Sequence, residues 1–514
     1  MLLDKIANLY RPIIYILIAA GIFFRFWDID AIGFWLDEIF TASFYSPFYL
    51  NDTWEEFWHI LTYDVHPPLY PLVSRYWMTV FGDSEVPARM LSVFFGVTAV
   101  FSAYFFAKKF FSPDISLVYT VLVSCSFVNI LYSQDARMYP LAIFFSTIST
   151  PLFVWMANKA RNGELIERKV FAWLAILALL SCYTHYYAAV YHASIYIILF
   201  FIFLKYRRSI VPLIFSGLSV FILFLPWIII HALKTRSNKR HFVNDVEDVM
   251  PSVFQNIFGA DSLFVTAIFL IIPIFAMLSY FLHRGDKNKA PFEETYLIIL
   301  IIFSISTILL ISHFVRPILH HYRYFSMFLP AFYLVVAISL FRGGFSLKIG
   351  SVELKKLYLI ICIIISMSTW SSRGVSTYKE YHMRDSANFI KSRKECEGKK
   401  IFAVTDDFFL WQPALTYYFG GIVNPSVDFD TLPNYQRPMK KEFFENMHKN
   451  LDAGCDVALW TIGFKGELLW KDLKTYGISK EDFRKEKIEL DVTSFSREYD
   501  KYTWQFVYTA KRIE

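Results

Sequence analysis

The stretch Ser116-Leu-Val-Tyr-Thr-Val-Leu-Val-Ser-Cys-Ser-Phe-Val-Asn-Ile-Leu-Tyr132 runs directly into Ser133-Gln-Asp-Ala-Arg-Met-Tyr139. That segment runs in turn into Pro140-Leu-Ala-Ile-Phe-Phe-Ser-Thr-Ile-Ser-Thr-Pro-Leu-Phe-Val-Trp-Met-Ala157. Two apolar runs of about membrane-crossing length therefore flank a short insert carrying an amide, a carboxylate and a guanidinium. Ionisable groups at membrane depth are costly and default to a functional reading. The same alternation recurs along the chain and sets the fold class, a polytopic α-helical membrane protein.

About eleven spans are expected, over 12–27, 86–107, 116–132, 140–157, 170–183, 188–204, 211–231, 263–281, 295–311, 324–341 and 357–369. The 514 residues are 55% hydrophobic and 19% aromatic, with a mean hydropathy of +0.39. A soluble protein of this length rarely carries so much apolar surface. The run 13–24 lacks a small-residue cleavage site and reads as an uncleaved first span.

Basic residues set the orientation. Lys5 and Arg11, Lys108 and Lys109, and Lys159, Arg161, Arg168 and Lys169 fall on one side. Lys205, Arg207 and Arg208, Arg284, Lys287 and Lys289, and Arg342, Lys348, Lys355 and Lys356 join them. That side is expected to be cytoplasmic, with the N-terminus, and an odd number of spans puts the C-terminal part outside. These loops account for the formal charge of +6, and no basic, aromatic-interleaved patch suggests nucleic acid. The expected location is the cytoplasmic (plasma) membrane.

About half of all charged residues lie beyond Ser372. The expected division is a transmembrane domain over 1–371, with a long first outer loop over 28–85, and a soluble α/β domain over 372–514. In that loop, 54–61 and 69–77 have the spacing of helices lying on a membrane surface, the second starting after Pro67 and Pro68. In the C-terminal part, strands are expected over 400–405, 422–427, 456–461 and 503–509, and helices over 385–394, 410–419 and 443–451. No glycine-rich phosphate loop occurs there. Cys125, Cys182 and Cys362 read as small hydrophobes inside apolar runs. Cys396 and Cys455 can pair only if their domain is exported, and nothing in their spacing argues for it.

On the outer side, polar clusters gather at span ends. Asp37 and Glu38 follow the apolar stretch 32–36. An isolated Asp-Glu pair is most simply a solvated loop, but His66, Asp135 and Arg137 share the same side. A carboxylate partly shielded from water is suited to take a proton from a hydroxyl nucleophile. An arginine fork fits a departing phosphate. Asp135 alone could cap the helix that opens near Pro140; Gln134 and Arg137 are not explained that way. Tyr183-Thr-His185-Tyr-Tyr187 and His320-His-Tyr322-Arg323-Tyr324 add imidazoles, a guanidinium and aromatic faces suited to a sugar ring. An aromatic belt accounts for the tyrosines, and His185 is balanced between site and interface. Outer-side Arg75, Arg89 and Arg316 also depart from the charge bias, while Lys234, Arg236, Lys239 and Arg240 snorkel to lipid headgroups. Asp28-Ile-Asp30 has the weak Asp-x-Asp form of metal and nucleotide-sugar sites, which Asp428-Phe-Asp430 matches too; Asp28 and Asp30 are read as interfacial loop residues or at most metal support.

Trp35-Leu-Asp-Glu38, His66-Pro-Pro-Leu-Tyr70, Arg89-Met-Leu-Ser92, Tyr132-Ser-Gln-Asp-Ala-Arg-Met-Tyr139, Tyr183–Tyr187 and Tyr322-Arg-Tyr324 resemble, in order, motifs of membrane glycosyltransferase family 39. This is the GT-C superfamily of protein O-mannosyltransferases and lipid A aminoarabinose transferases. The resemblance covers roughly 9–341. It implies a hexosyl- or pentosyltransferase moving a sugar, with inversion, from a polyprenyl-phosphate donor to a glycan, lipid or protein hydroxyl acceptor outside the membrane. It implies Asp37 as the catalytic base. Glu38, His66, Gln134, Asp135, Arg137, Tyr139, His185, Tyr322 and Arg323 are then expected to bind substrate. Some relatives hold a divalent metal near this pocket; no ligand set is read here, and no cofactor is required. Unlike the eukaryotic protein mannosyltransferases, the chain has its extra domain at the C-terminus, which weakens the case for a protein acceptor. The rival reading is a lipid-linked sugar transporter or flippase. It predicts charged or broken spans near the midplane and a twofold repeat, and neither is read in the sequence, where polar residues gather at the outer ends.

Overall fold

The computed structural model describes residues 2–48, 53–207, 209–235, 292–314, 318, 322–342, 348–349, 352–353, 383–405, 417–418, 428–431, 440–463, 473, 478–494 and 504–513. Among them the helices are α1 (Leu2–Phe24), α2 (Leu36–Tyr45), α3 (Trp54–Tyr63), α4 (Leu69–Phe81), α5 (Glu85–Ala107), α6 (Pro113–Cys125), α7 (Phe127–Ser133) and α8 (Tyr139–Arg161). They continue with α9 (Arg168–Cys182), α10 (Tyr186–Tyr206), α11 (Ile210–Thr235), α12 (Phe292–Phe314) and α13 (Leu329–Arg342), the last following a 3-10 turn, Tyr322–Phe328.

Among the described residues, six helical stretches are long and apolar enough to cross a membrane. They are α5, α8, α10, Ile210–Ile230 of α11, α12 and Arg323–Phe341. The α6–α7 pair makes a seventh if it counts as one span, bent by 54°. The protein is an integral membrane protein. The apolar part of α1 (Tyr10–Phe24) and α9, at 15 residues, fall below the length of about 18 residues that crosses a membrane, and the spans expected over 263–281 and 357–369 lie outside the described residues. Both loop helices expected from sequence form, as α3 and α4; α2 was not anticipated.

The chain separates into two compact units. One comprises Met1–Ile29, Trp58–Ser74 and Arg89–Arg373. Within it, α1 packs directly on α6. At the crossing a Cβ on Gly21 would lie 2.5 Å from the Ser124 carbonyl oxygen, so only glycine fits this small-residue contact. The bend between α6 and α7 falls at Ser126, whose hydroxyl accepts from the Asn129 amide at 3.3 Å and caps α7. The bend frees carbonyls at the end of α6. The fully buried Arg25 guanidinium fills that gap, donating to Ser124 O at 2.7 Å, Val123 O at 3.1 Å and its own Gly21 O. A cation at a helix C-terminus is where the backbone dipole favours one. Arg25 follows the last residue of α1, and the serine cap at Ser126 breaks an apolar run that was expected to be continuous.

The helix α8 opens with Pro140 in its first turn and Met138 at the cap position, with no side-chain cap. Asp135 does not occupy the cap position. Its residue forms a tight turn instead, the Arg137 amide donating to Asp135 O at 2.7 Å.

The second unit comprises Asp30–Phe57, Arg75–Ala88 and Gly374–Glu514. Its strands are β1 (Lys400–Thr405), β2 (Asp428–Thr431), β3 (Val457–Gly463), β4 (Ile488–Ser494) and β5 (Trp504–Arg512). They form a mixed sheet in the order β2-β1-β3-β5-β4, parallel on the β2-β1-β3 side and antiparallel beyond it. Helices Met383–Ser392, Lys440–Asp452 and Lys480–Lys485 accompany it. Phe443, Phe444, Met447, Leu459, Leu473, Phe483 and Tyr508 share its core. The strands expected at 400–405, 456–461 and 503–509 form within a few residues. The strand at 422–427 and most of the helix at 410–419 lie outside the described residues. A disulfide joins Cys396 to Cys455, a pairing their spacing did not announce.

Candidate functional site

The turn from Asp64 to Pro68 leads into α4, and the Pro68 carbonyl starts that helix by accepting from the Leu72 amide at 3.0 Å. The Leu69 amide donates to the Tyr183 carbonyl at 2.9 Å, tying this turn to the end of α9. His66 is thereby fixed between two groups of opposite charge. Its Nδ1 lies 2.9 Å from Asp64 Oδ1, which also accepts from the His66 amide at 2.9 Å. Its Nε2 lies 3.3 Å from a terminal nitrogen of Arg137. With the Nδ1 proton given to the carboxylate, Nε2 is the acceptor for the guanidinium, so Asp64 selects the tautomer that holds Arg137.

Arg137 is buried, and its carbonyl accepts from Ser92 Oγ at 3.0 Å. Around it stand other polar and aromatic residues from helix ends of this unit. The Tyr139 ring is 6.0 Å from His185 and 6.3 Å from Tyr324. His185 is 6.3 Å from His66 and 5.1 Å from Tyr324. The Arg323 guanidinium lies 5.8 Å from the Tyr139 ring and 5.7 Å from that of Tyr324. These are cation–π distances.

His185 caps α10, its Nδ1 accepting from the Tyr187 amide at 3.1 Å. Burial first, then electrostatic interaction with His66, Arg137 and Arg323, pushes its imidazole well below the ordinary histidine range. It is neutral at physiological pH. The cluster thus contains two guanidiniums, two imidazoles, one carboxylate and a wall of phenol rings. That composition receives an anion, and the flat rings beside it suit a sugar.

The remaining expected site residues are placed differently. Gln134 is buried and donates from Nε2 to the Phe24 and Trp27 carbonyls at 2.9 and 2.6 Å, which ties its turn to the end of α1. Asp135 is buried in the turn between α7 and α8. The Tyr322 side chain, His320, His321 and Arg316 lie outside the described residues. In the other unit, Asp37 and Glu38 form the first turn of α2. The buried Glu38 carboxylate accepts from the Trp35 amide at 3.3 Å, one half of a capping box. Asp37 is half-buried, and its carbonyl accepts from Thr41 Oγ1 at 3.3 Å. Asp30 of the Asp-x-Asp pattern pairs with Arg384. Among the described residues, no group of three or more His, Cys, Asp or Glu is arranged to hold a metal.

Sequence reading passed over Asp64 and Arg25. Asp64 stands two residues before the singled-out His66, and the pattern Asp-x-His was available as a signal. Arg25 was detectable as a lone charge in the first apolar run.

The sequence profile of the family described as dolichyl-phosphate-mannose-protein mannosyltransferase matches residues 65–230. That segment contains His66, Gln134, Asp135, Arg137, Tyr139 and His185. The chain is a relative of the GT-C glycosyltransferases. Among solved structures, ArnT from Cupriavidus metallidurans in the apo state is similar to it at a TM-score of 0.56 and 10% identity. That match covers 96% of this chain and 97% of ArnT. The same ArnT bound to undecaprenyl phosphate gives 0.54 and 9% identity over 96% and 97%. The archaeal oligosaccharyltransferase AglB from Archaeoglobus fulgidus, in complex with an inhibitory peptide and a dolichol-phosphate, is a weaker likeness. It gives 0.47 and 9% identity over 93% of this chain and 72% of AglB. A search of curated protein sequences finds no match. At these identities the likeness to ArnT shows a shared fold alone, and the profile match covers about a third of the chain.

Proposed function

We propose that this protein transfers a sugar, with inversion, from a polyprenyl-phosphate donor to a hydroxyl of a glycan, lipid or protein acceptor on the outer face of the membrane. The observation that carries the reading is the pairing of buried Arg137 with half-buried His66, beside Arg323 and a neutral His185. Buried cations of this kind stabilise negative charge as it develops on a leaving phosphate. The profile match to lipid-phosphate mannosyltransferases and the undecaprenyl phosphate bound by ArnT support a lipid-phosphate donor.

In this mechanism Asp37 takes the proton of the acceptor hydroxyl, whose oxygen attacks the anomeric carbon. The bond from that carbon to the phosphate oxygen breaks, and polyprenyl phosphate leaves with the electron pair, its charge held by Arg137 and Arg323. His66 fixes Arg137, and Tyr139 and Tyr324 line the sugar. Glu38 keeps the first turn of α2 in place. A chelator in the assay tests whether turnover needs a divalent metal.

The test is turnover by purified protein with a panel of polyprenyl-phosphate sugars. Free polyprenyl phosphate is expected in step with glycosylated acceptor. Arg137→Met is expected to lower kcat by about a hundredfold, the usual effect of losing one donor to a developing anion. The transporter reading has one observation in its favour, the broken α6–α7 span against buried Arg25. Both terminal nitrogens of Arg25 are bonded to backbone carbonyls, which is a structural role. Movement of intact lipid-linked sugar across vesicles, with no sugar released for any donor, would favour transport instead.

A further inference from the structure

We propose that the C-terminal region is a positioning element for Asp37, acting through Tyr418 and Arg384. The inference rests on the reading of Asp37 as the base and gives the soluble part of the chain a task in that reaction.

All the contacts lie within the second unit. The Tyr418 hydroxyl accepts from the Phe34 amide at 2.7 Å and donates to Glu85 Oε1 at 3.1 Å. Arg384 donates from one terminal nitrogen to Asp30 Oδ1 at 2.5 Å and from the other to the Asp30 carbonyl at 2.6 Å. It also lies 3.9 Å from Glu85 Oε1. The Tyr417 ring packs edge-on to Phe34 at 5.5 Å, and its hydroxyl donates to the Asp83 carbonyl at 3.2 Å. Between these anchors, Gly33 fits so closely that a Cβ there would sit 2.7 Å from Arg384 Cβ and 2.8 Å from the Tyr418 hydroxyl.

The clamp therefore grips residues 30–34, and α2 begins two residues later. Phe34 is fully buried, the Trp35 amide is bonded to Glu38, and Asp37 lies between them in the same turn. No freely rotating linker separates the clamp from the carboxylate. A phenol is needed at 418 because it must accept from an amide and donate to a carboxylate at once. Phenylalanine keeps the ring and does neither. Displacing a catalytic group by about 1 Å can cost about a hundredfold in rate, so an unanchored α2 start loses turnover before it loses the fold.

The experiment compares wild type, Tyr418→Phe, Gly33→Ala and Asp37→Glu in the transfer assay, with amide exchange over residues 30–38 measured on each full-length protein. Tyr418→Phe and Gly33→Ala are expected to lower kcat about tenfold or more while the donor KM stays within about twofold. Exchange should quicken at residues 34–38 and stay slow in the sheet. Asp37→Glu already carries its carboxylate at the wrong reach, so adding Tyr418→Phe should cost less than about twofold more. Equal costs of Tyr418→Phe in wild type and in Asp37→Glu would overturn the inference, as would unchanged kcat in both clamp variants. If either clamp variant fails to fold, the exchange pattern and kcat of the other decide. Wild-type protein inactive on every donor would instead sink the underlying glycosyltransferase reading, a result visible before any variant is made.

Discussion

His66 stands between the Asp64 carboxylate and the Arg137 guanidinium, and each neighbour determines what the other can do. At this scale much of the site was legible. His66, Arg137, Tyr139, His185 and Arg323 were singled out as polar residues at span ends, and they gather in one unit. Asp64 escaped because an Asp two residues from a motif looks like any loop carboxylate; its role depends on a turn that brings its oxygen back onto Nδ1. Gln134 was legible as unusual but not as a strut, since its partners are backbone carbonyls of α1. The depressed affinity of His185 for protons has a consequence for stability. Below about pH 6.5 the unfolded chain gains a proton at residue 185 that the folded chain refuses. This contribution to stability is therefore complete above that pH and declines as pH falls toward the folded value. The melting temperature of detergent-solubilised wild type is expected to drop between about pH 6.5 and pH 5, and His185→Gln should flatten the drop. Identical slopes for the two proteins would contradict the assignment of a buried neutral imidazole.

Among the elements, long apolar runs located α5, α8, α10, α11 and α12, because a span must be continuous and apolar and little else is. The break between α6 and α7 was not legible. Ser124-Cys-Ser126 is small and mildly polar, as membrane helices tolerate, and only the cap bond to Asn129 reveals the interruption. The alternation Ile488-Glu-Leu490-Asp-Val492-Thr, by contrast, did announce β4 and was passed over. The broken element predicts what Arg25 is for. Arg25→Met keeps the apolar stem and strips the donors from three buried carbonyls, each costing about 1–3 kcal/mol when left unsatisfied. A fall of several degrees in melting temperature is expected, with helical content retained below the transition. An unchanged melting temperature would mean that the end of α6 finds other donors and that the charge serves another purpose.

For the molecule as a whole, composition suggested a membrane part and a charged C-terminal part. It could not show that two segments of the first outer loop, 30–57 and 75–88, cluster with the C-terminal residues. That grouping depends on single contacts such as Tyr418 to Phe34, which no periodicity encodes. The Cys396–Cys455 bridge spans 59 residues of sequence. A loop of this length is worth about 4 kcal/mol in the chain-entropy account. It also reports on compartment, since such bridges persist only under oxidising conditions. If the C-terminal part faces an oxidising compartment, both thiols in native membranes should resist maleimide until reduced, and Cys396→Ser with Cys455→Ser should melt earlier. Ready labelling without reductant would place that part in the cytoplasm. The most direct test of the proposed chemistry is a single-turnover assay of wild type and Asp37→Asn with a polyprenyl-phosphate sugar the wild type accepts. The account predicts that Asp37→Asn binds the donor with near-normal affinity and releases almost no polyprenyl phosphate. Release at a rate close to that of wild type would show that another group takes the proton.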